Sequence, residues 1–235
     1  MGKGIIRNDG SGGTAKLVLT DFDPKFFAKA IRPGVELVFT TKDPVKEGFL
    51  VQGDIVDDGK GNYTFNVTSI LNNNPTIISG SSSGNVTIGV DQVYLVTSTG
   101  KIGGNATVDG GVLLVVGGTA SGNITIGSNS TIICNTGATV TGGTFKISAA
   151  GVNSCVVIEN SSVNGAFSTN GITYVNLNSN DHNGNVSSDS DSYVEVTNNI
   201  VKNNFNLTVK SVVTECNVKS NTVGGQTSID PKCAQ

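Results

Sequence analysis

The chain of 235 residues has no tryptophan, one histidine and one methionine, and aromatic residues make up only 6% of it. A single histidine rules out metal centres built on several imidazoles. No stretch approaches the ~20 consecutive apolar residues of a membrane-crossing helix, so no membrane span is expected. The net charge of −3 argues against a nucleic-acid partner bound by bulk electrostatics and leaves protein or glycan partners open. The four cysteines contain no CxxC metal spacing. No Gly-Gly-x-Gly-x-Asp repeat occurs, which argues against a calcium-binding roll. The first ten residues hold no apolar core, so no secretory signal is expected. Ile6 stands where a myristoylation motif needs Ser or Thr. Proline is missing from positions 76 to 230, as an uninterrupted strand ladder requires.

What the chain does have is glycine, 31 residues of it, arranged in a repeat of about 20 residues. Gly-Asn or Gly-Thr precedes a short alternating strand at Gly84–Gly89, Gly104–Val108, Gly122–Gly127 and Gly143–Ile147. Looser copies follow at Asn164–Phe167, Gly184–Ser187 and Asn204–Leu207. A second strand trails each first one, at Val93–Val96, Val112–Val115, Thr131–Cys134, Cys155–Ile158, Ile172–Val175, Ser192–Glu195 and Val212–Glu215. Two series with one period mean stacked units that cannot bury their apolar side chains singly. The fold class is therefore all-β: a small N-terminal β-rich module, then a β-helix or β-solenoid of about seven ~20-residue rungs. Stacking at ~4.8 Å gives a rod of roughly 30–35 Å. Val86, Ile88, Val108, Ile124, Ile126, Phe145 and Ile147 are expected inward by the period-2 rule. The Gly-Asn corners should form ladders, with Gly supplying positive φ and Asn tolerating it.

Three segments result: an extended arm at 1–14, a β-rich module at 15–75 and the solenoid at 76–235. Of 33 charged residues, 18 lie in the first 70, along with six of nine Phe. Strands are expected at Lys16–Thr20, Val35–Thr41, Gly48–Asp54 and Asn62–Thr68, with a hairpin turn at Asp57–Gly61. Asp23 as N-cap and Pro24 at the first helical position predict a helix through Ile31. Leu71–Pro75 and Ser79–Gly84 read as a linker or entry corner.

Candidate chemistry is sparse. His182 lies in the polar run Asn178–Gly184 and reads as a solvated corner histidine. Asp181, Asp189 and Asp191 are the carboxylates that could resemble a glycan-cleaving acid pair, although a solvated turn is the plainer account. Glu159, Glu195 and Glu215 fall near the ends of second strands. They could align along an edge, with Lys202, Lys210 and Lys219 compensating their repulsion. Cys134 with Cys155, and Cys216 with Cys233, are each about one cycle apart and could stack. The plainer reading is buried free thiols, with Cys233 the one to be exposed or paired. Asn-x-Ser/Thr triplets such as Asn66–Thr68 and Asn123–Thr125 follow from composition rather than glycosylation. No catalytic, cofactor-binding or metal residue is assigned, and no cofactor is expected.

The Met1–Gly13 arm, the strands at Val35–Thr40 and Gly48–Val56, the Asp57–Phe65 turn region and the Gly-Asn repeat together resemble a bacteriophage virion fibre or capsid-decoration protein. The middle segment is similar to the N-terminal β-module of phage baseplate upper proteins. The resemblance implies a non-enzymatic virion component, assembled in the host cytoplasm, often trimeric and anchored by its N-terminus. Its implied partners are other capsid or tail proteins and, at the exposed end, a host-surface glycan. A glycan-active β-helix enzyme and a bacterial surface adhesin are the alternatives. The arm carries Ile5 and Ile6 beside Lys3 and Arg7, a docking stub for strand addition to a partner.

Overall fold

A computed structural model describes residues 3–8, 15–20, 35–40, 48–57, 63–72, 74–135, 138–140, 144–147, 154–189, 193–208 and 215–233. The chain forms two compact units, Met1–Pro75 and Thr76–Gln235. The expected helix from Asp23 to Ile31 lies outside the described residues.

The first unit is a five-stranded sheet of β1 (Lys3–Asn8), β2 (Ala15–Thr20), β3 (Val35–Thr40), β4 (Gly48–Asp57) and β5 (Tyr63–Asn72). Their order is β1-β2-β5-β4-β3 and every pairing is antiparallel. Asp57 faces Tyr63 across β4 and β5, which makes these two strands a hairpin. Its turn, residues 58–62, is outside the described residues. β1 is the outermost strand in this order, with Ile5 opposite Val18 and Ile6 opposite Leu17.

The second unit is a parallel β-solenoid of about seven turns, built from three sheets of eight strands each. Its first coil is β6 (Thr76–Ile78), β7 (Ser81–Ser82) and β8 (Val86–Ile88). Of the residues read as a linker, Ser79–Gly84 thus already belong to the shaft, whereas Leu71 and Asn72 end β5 of the first unit. Sequence periodicity gives two strands per cycle, whereas each coil has three. The third is only two residues long, as in Lys101–Ile102 and Thr119–Ala120, too short to leave a period. One later strand also shifts, from Ile172–Val175 to Tyr174–Asn178. Of the expected Val212–Glu215, residues 212–214 lie outside the described residues, and Glu215 opens the strand Glu215–Lys219.

Register explains the interior. On the long-strand face Leu113, Ile132, Val156, Val175 and Val194 pair in succession and are fully buried. A parallel column two residues on runs through Val96, Val115, Cys134, Ile158, Leu177 and Val196, also buried. On the Gly-Asn face, the expected inward residues Ile88, Val108, Ile124 and Ile126 are buried, while Val86 in the first coil is half-buried against the core. The side chains of Phe145 and Ile147 are outside the described residues. Each buried Val or Ile contributes about 1.5–3 kcal/mol by removal from water. The long strands do not alternate, because Leu95, Leu114 and Val157 on their other side are buried too. Strands buried on both faces read as continuous apolar runs.

The corners depart from expectation in an informative way. Positive φ is carried not by the Gly-Asn glycines but by two other stacks. One, before the long strand, holds Asp91, Gly110, Asn129 and Gly171, and the other, after it, holds Gly117, Asn160, Ser179, Asn198 and Ser220. The corner glycines answer a packing demand instead. A Cβ on Gly104, Gly122 or Gly184 would come within 3.0 Å of the backbone of the preceding coil, at Gly84, Gly104 and Gly165 respectively. Gly84, with no coil beneath it, has no atom within 4 Å of that position. Close backbone approach, rather than a left-handed turn, fixes glycine here.

Candidate functional site

The polar residues of the solenoid form stacks, and each stack has a different task. At the Gly-Asn corner the backbone N–H of Asn105 donates to Asn85 Oδ1 at 2.9 Å, and that of Asn123 to Asn105 Oδ1 at 2.9 Å. The same link recurs from Asn204 to Asn185 and from Gln226 to Asn204. This is the expected ladder, with each amide oxygen closing a backbone donor that the turn leaves free.

A second ladder, which sequence reading misses, is internal. Asn180 and Asn199 are buried. The Asn180 side chain donates to Ile158 O and accepts from Ser161 N–H. Asn199 donates to Leu177 O at 2.8 Å and accepts from Asn180 N–H at 3.0 Å. Asn221 donates to Val196 O and accepts from Asn199 N–H. The signal was present in the pairs Ser179-Asn180, Asn198-Asn199 and Ser220-Asn221. In each pair the first residue takes the left-handed turn and the second reaches inward.

His182 is a correction. It is not a solvated corner residue but fully buried, the inward member of the two-residue strand Asp181–His182. It stacks between Val163 and Val201 and meets the Phe167 ring edge-on at 6.2 Å. Both imidazole nitrogens are buried without a hydrogen-bond partner. Asn199 lies nearby and slightly favours the charged ring, yet its own N–H groups go to Leu177 O, Thr197 O and Asn221 Oδ1. Burial dominates and lowers the His182 pKa to about 4, with Asp181 opposing.

The acidic candidates do not converge. Asp181 pairs with Lys202 at 3.5 Å on the short-strand face. Asp189 accepts from Thr208 on the Gly-Asn face, so the two carboxylates belong to different sheets. Asp191 is outside the described residues. Lys202 also donates to Asn183, which donates to Asn164, so this exposed strip is a self-bonded network. The three glutamates do not align either. Glu159 stands in register with Asn178, Glu195 with Asn176, and Glu215 with Tyr193. Glu195 accepts from Asn176 and Asn217, which separate it from other acids. Among the described residues no group of three His, Cys, Asp or Glu could hold a metal ion.

The cysteines follow expectation in part: Cys134 and Cys155 are free thiols and Cys233 is paired. Cys134 and Cys155 do not stack: Cys134 pairs with Ile158, and Cys155 with Thr131. Both are free thiols, and burial pushes both up to about 12, although Cys155 keeps some exposed surface. Cys216 and Cys233 form a disulfide, so these two are not free thiols. The proposed docking residues Lys3, Ile5, Ile6 and Arg7 all lie on β1, and nothing further is described for their side chains. Comparison with protein-family models, curated proteins and solved structures gave no match.

Proposed function

We propose that this chain is a structural virion protein, a fibre or capsid decoration that anchors through its N-terminal part and projects a β-solenoid shaft. The observation that supports this reading is the shaft itself. Its coils are joined on three faces by parallel strands and at two corners by asparagine ladders, an arrangement that resists bending and displays a regular surface. Docking would run through β1, the outermost strand of its sheet, by strand addition to a capsid or tail protein. Three chains would assemble side by side, and the exposed surface would meet a host glycan.

The test is incorporation. Deleting residues 2–12 should leave the solenoid folded by circular dichroism and abolish its appearance in purified particles. Normal occupancy of the truncated chain would overturn anchoring through β1. Light scattering should give about three times the 24.0 kDa chain mass, and a monomer at micromolar concentration would refute the trimer. The Cys216–Cys233 disulfide favours a protein whose working life is outside a reducing cytoplasm. A virion meets that condition, and so does the second reading, a bacterial surface adhesin. Immunogold label on particles or on uninfected cells separates the two.

A further inference from the structure

Among the described residues, Glu215–Lys219, Thr222–Val223 and Thr227–Ile229 are the terminal strands of the three sheets and form one coil. Val218, Val223 and Ile229 occupy inward positions but are only half-buried. Together with Phe205 of the preceding coil they line a cavity of about 310 Å³ at this end.

One part of the end is closed. After Ile229 the chain turns at Asp230–Cys233, held by Cys233 N–H donating to Asp230 O and Lys232 N–H donating to Asp230 Oδ1. Cys233 is 1% exposed and belongs to the core cluster. Its Cα lies 5.1 Å from that of Cys216, close to the ~4.8 Å between neighbouring strands. Cys216 ends the inward column that runs through Val175 and Val194. Cys233 therefore lies beside this column at about the spacing of neighbouring strands, and the disulfide ties the 230–233 turn to it.

We propose that the Cys216–Cys233 disulfide is a thiol-controlled latch that seats the 230–233 turn on the C-terminal end of the solenoid. The turn has two hydrogen bonds within it to Asp230, one from Asp230 N–H to Leu207 O that ties only its first residue to the preceding coil, and one buried side chain, Cys233. The coils below it have three sheets of strand pairing. Reduction therefore releases the turn and leaves the body of the shaft intact. Closure in the presence of glutathione disulfide is balanced. The two protein thiols lose two protons and two electrons as their S–S bond forms, and the glutathione S–S bond breaks to give two glutathione thiols. The consequence is a Glu215–Ile229 coil that the turn covers when the two thiols are oxidised and leaves uncovered when they are reduced.

The test uses the full chain, oxidised with glutathione disulfide or reduced with a phosphine, followed by hydrogen exchange and mass spectrometry at pH 7. Reduction should speed exchange at 215–233 by about tenfold or more, through local opening, and leave 93–207 unchanged. Cys233→Ser should give the reduced pattern without any reductant. Cys134 is an internal control, because its buried thiol stays closed to alkylation unless the shaft unfolds. Equal protection of 215–233 in both redox states would overturn the proposal. Loss of protection across 93–207 would also overturn it, by making the disulfide a staple of the whole fold. So would alkylation of both Cys216 and Cys233 after oxidation.

Discussion

Single residues in this solenoid matter through the coil above or below them. Glycine is the plainest case. Gly122→Ala would drive a Cβ into the Gly104 backbone, which has no side-chain rotation to escape by, and should cost about 1–3 kcal/mol. Gly84→Ala meets nothing within 4 Å and should be neutral or stabilising by about 0.4–1 kcal/mol, because the unfolded chain loses freedom. Urea midpoints of the two variants check the contrast. Equal effects would mean that the corner glycines serve turn conformation after all. His182 gives a pH dependence. Its folded pKa of about 4 lies below the ordinary 6.5, so the unfolded state binds the proton first. Above pH 6.5 the residue has no effect on the balance. Between 6.5 and 4 stability falls as pH falls, by about 3 kcal/mol in all, and below 4 the loss levels off. His182→Leu should flatten this part of the stability profile. It should also stabilise at pH 8, since two unpaired buried nitrogens disappear. Urea titrations from pH 8 to 4 provide the measurement.

Elements show how far the sequence was legible. The Gly-Asn strand carries its own punctuation, so its position, inward side and corner ladder could all be read from residues such as Gly104-Asn105 and Gly122-Asn123. The long strand is legible from its apolar run, but at Tyr174–Asn178 the sequence pattern starts two residues early. There the polar Asn176 and Asn178 interrupt the apolar run, and Ile172-Thr173-Tyr174-Val175 imitates a strand. The two-residue strands were invisible, because one inward side chain per coil makes no pattern within a coil. His182 and the buried Asn180 and Asn199 were missed for that reason. They look polar and local, and only their register across coils shows them to be interior. The two asparagine ladders predict unequal costs. Asn199→Ala would strand the Leu177 carbonyl and the Asn180 N–H in the interior, at about 2–4 kcal/mol. Asn105→Ala, at the exposed corner, frees a backbone N–H that water can reach and should cost about 0.5–1 kcal/mol. Thermal melts that rank the two the other way would place the stabilising ladder on the outside.

At the scale of the whole molecule, each coil contacts only its neighbours, so the solenoid behaves as a one-dimensional stack. Its length should then be adjustable in whole coils and in no other unit. Asn105 and Asn123 hold the same corner position, 18 residues apart, and are joined by the ladder bond itself. Removing residues 105–122 would connect Gly104 directly to Asn123. Every later column would then drop by one coil with its inward and outward sides unchanged. That variant should keep its strand spectrum and unfold cooperatively, at a lower urea midpoint and with a smaller m-value, since less surface is buried. Removing only residues 105–113 takes away half a coil. It would bring a long-strand residue, Leu114, to the corner that belongs to Asn105, and no parallel register could be resumed. This shorter deletion should therefore be the more damaging of the two, leaving the solenoid unfolded or aggregated. If the nine-residue deletion were tolerated as well as the eighteen-residue one, coil-by-coil register would not be what holds this shaft together.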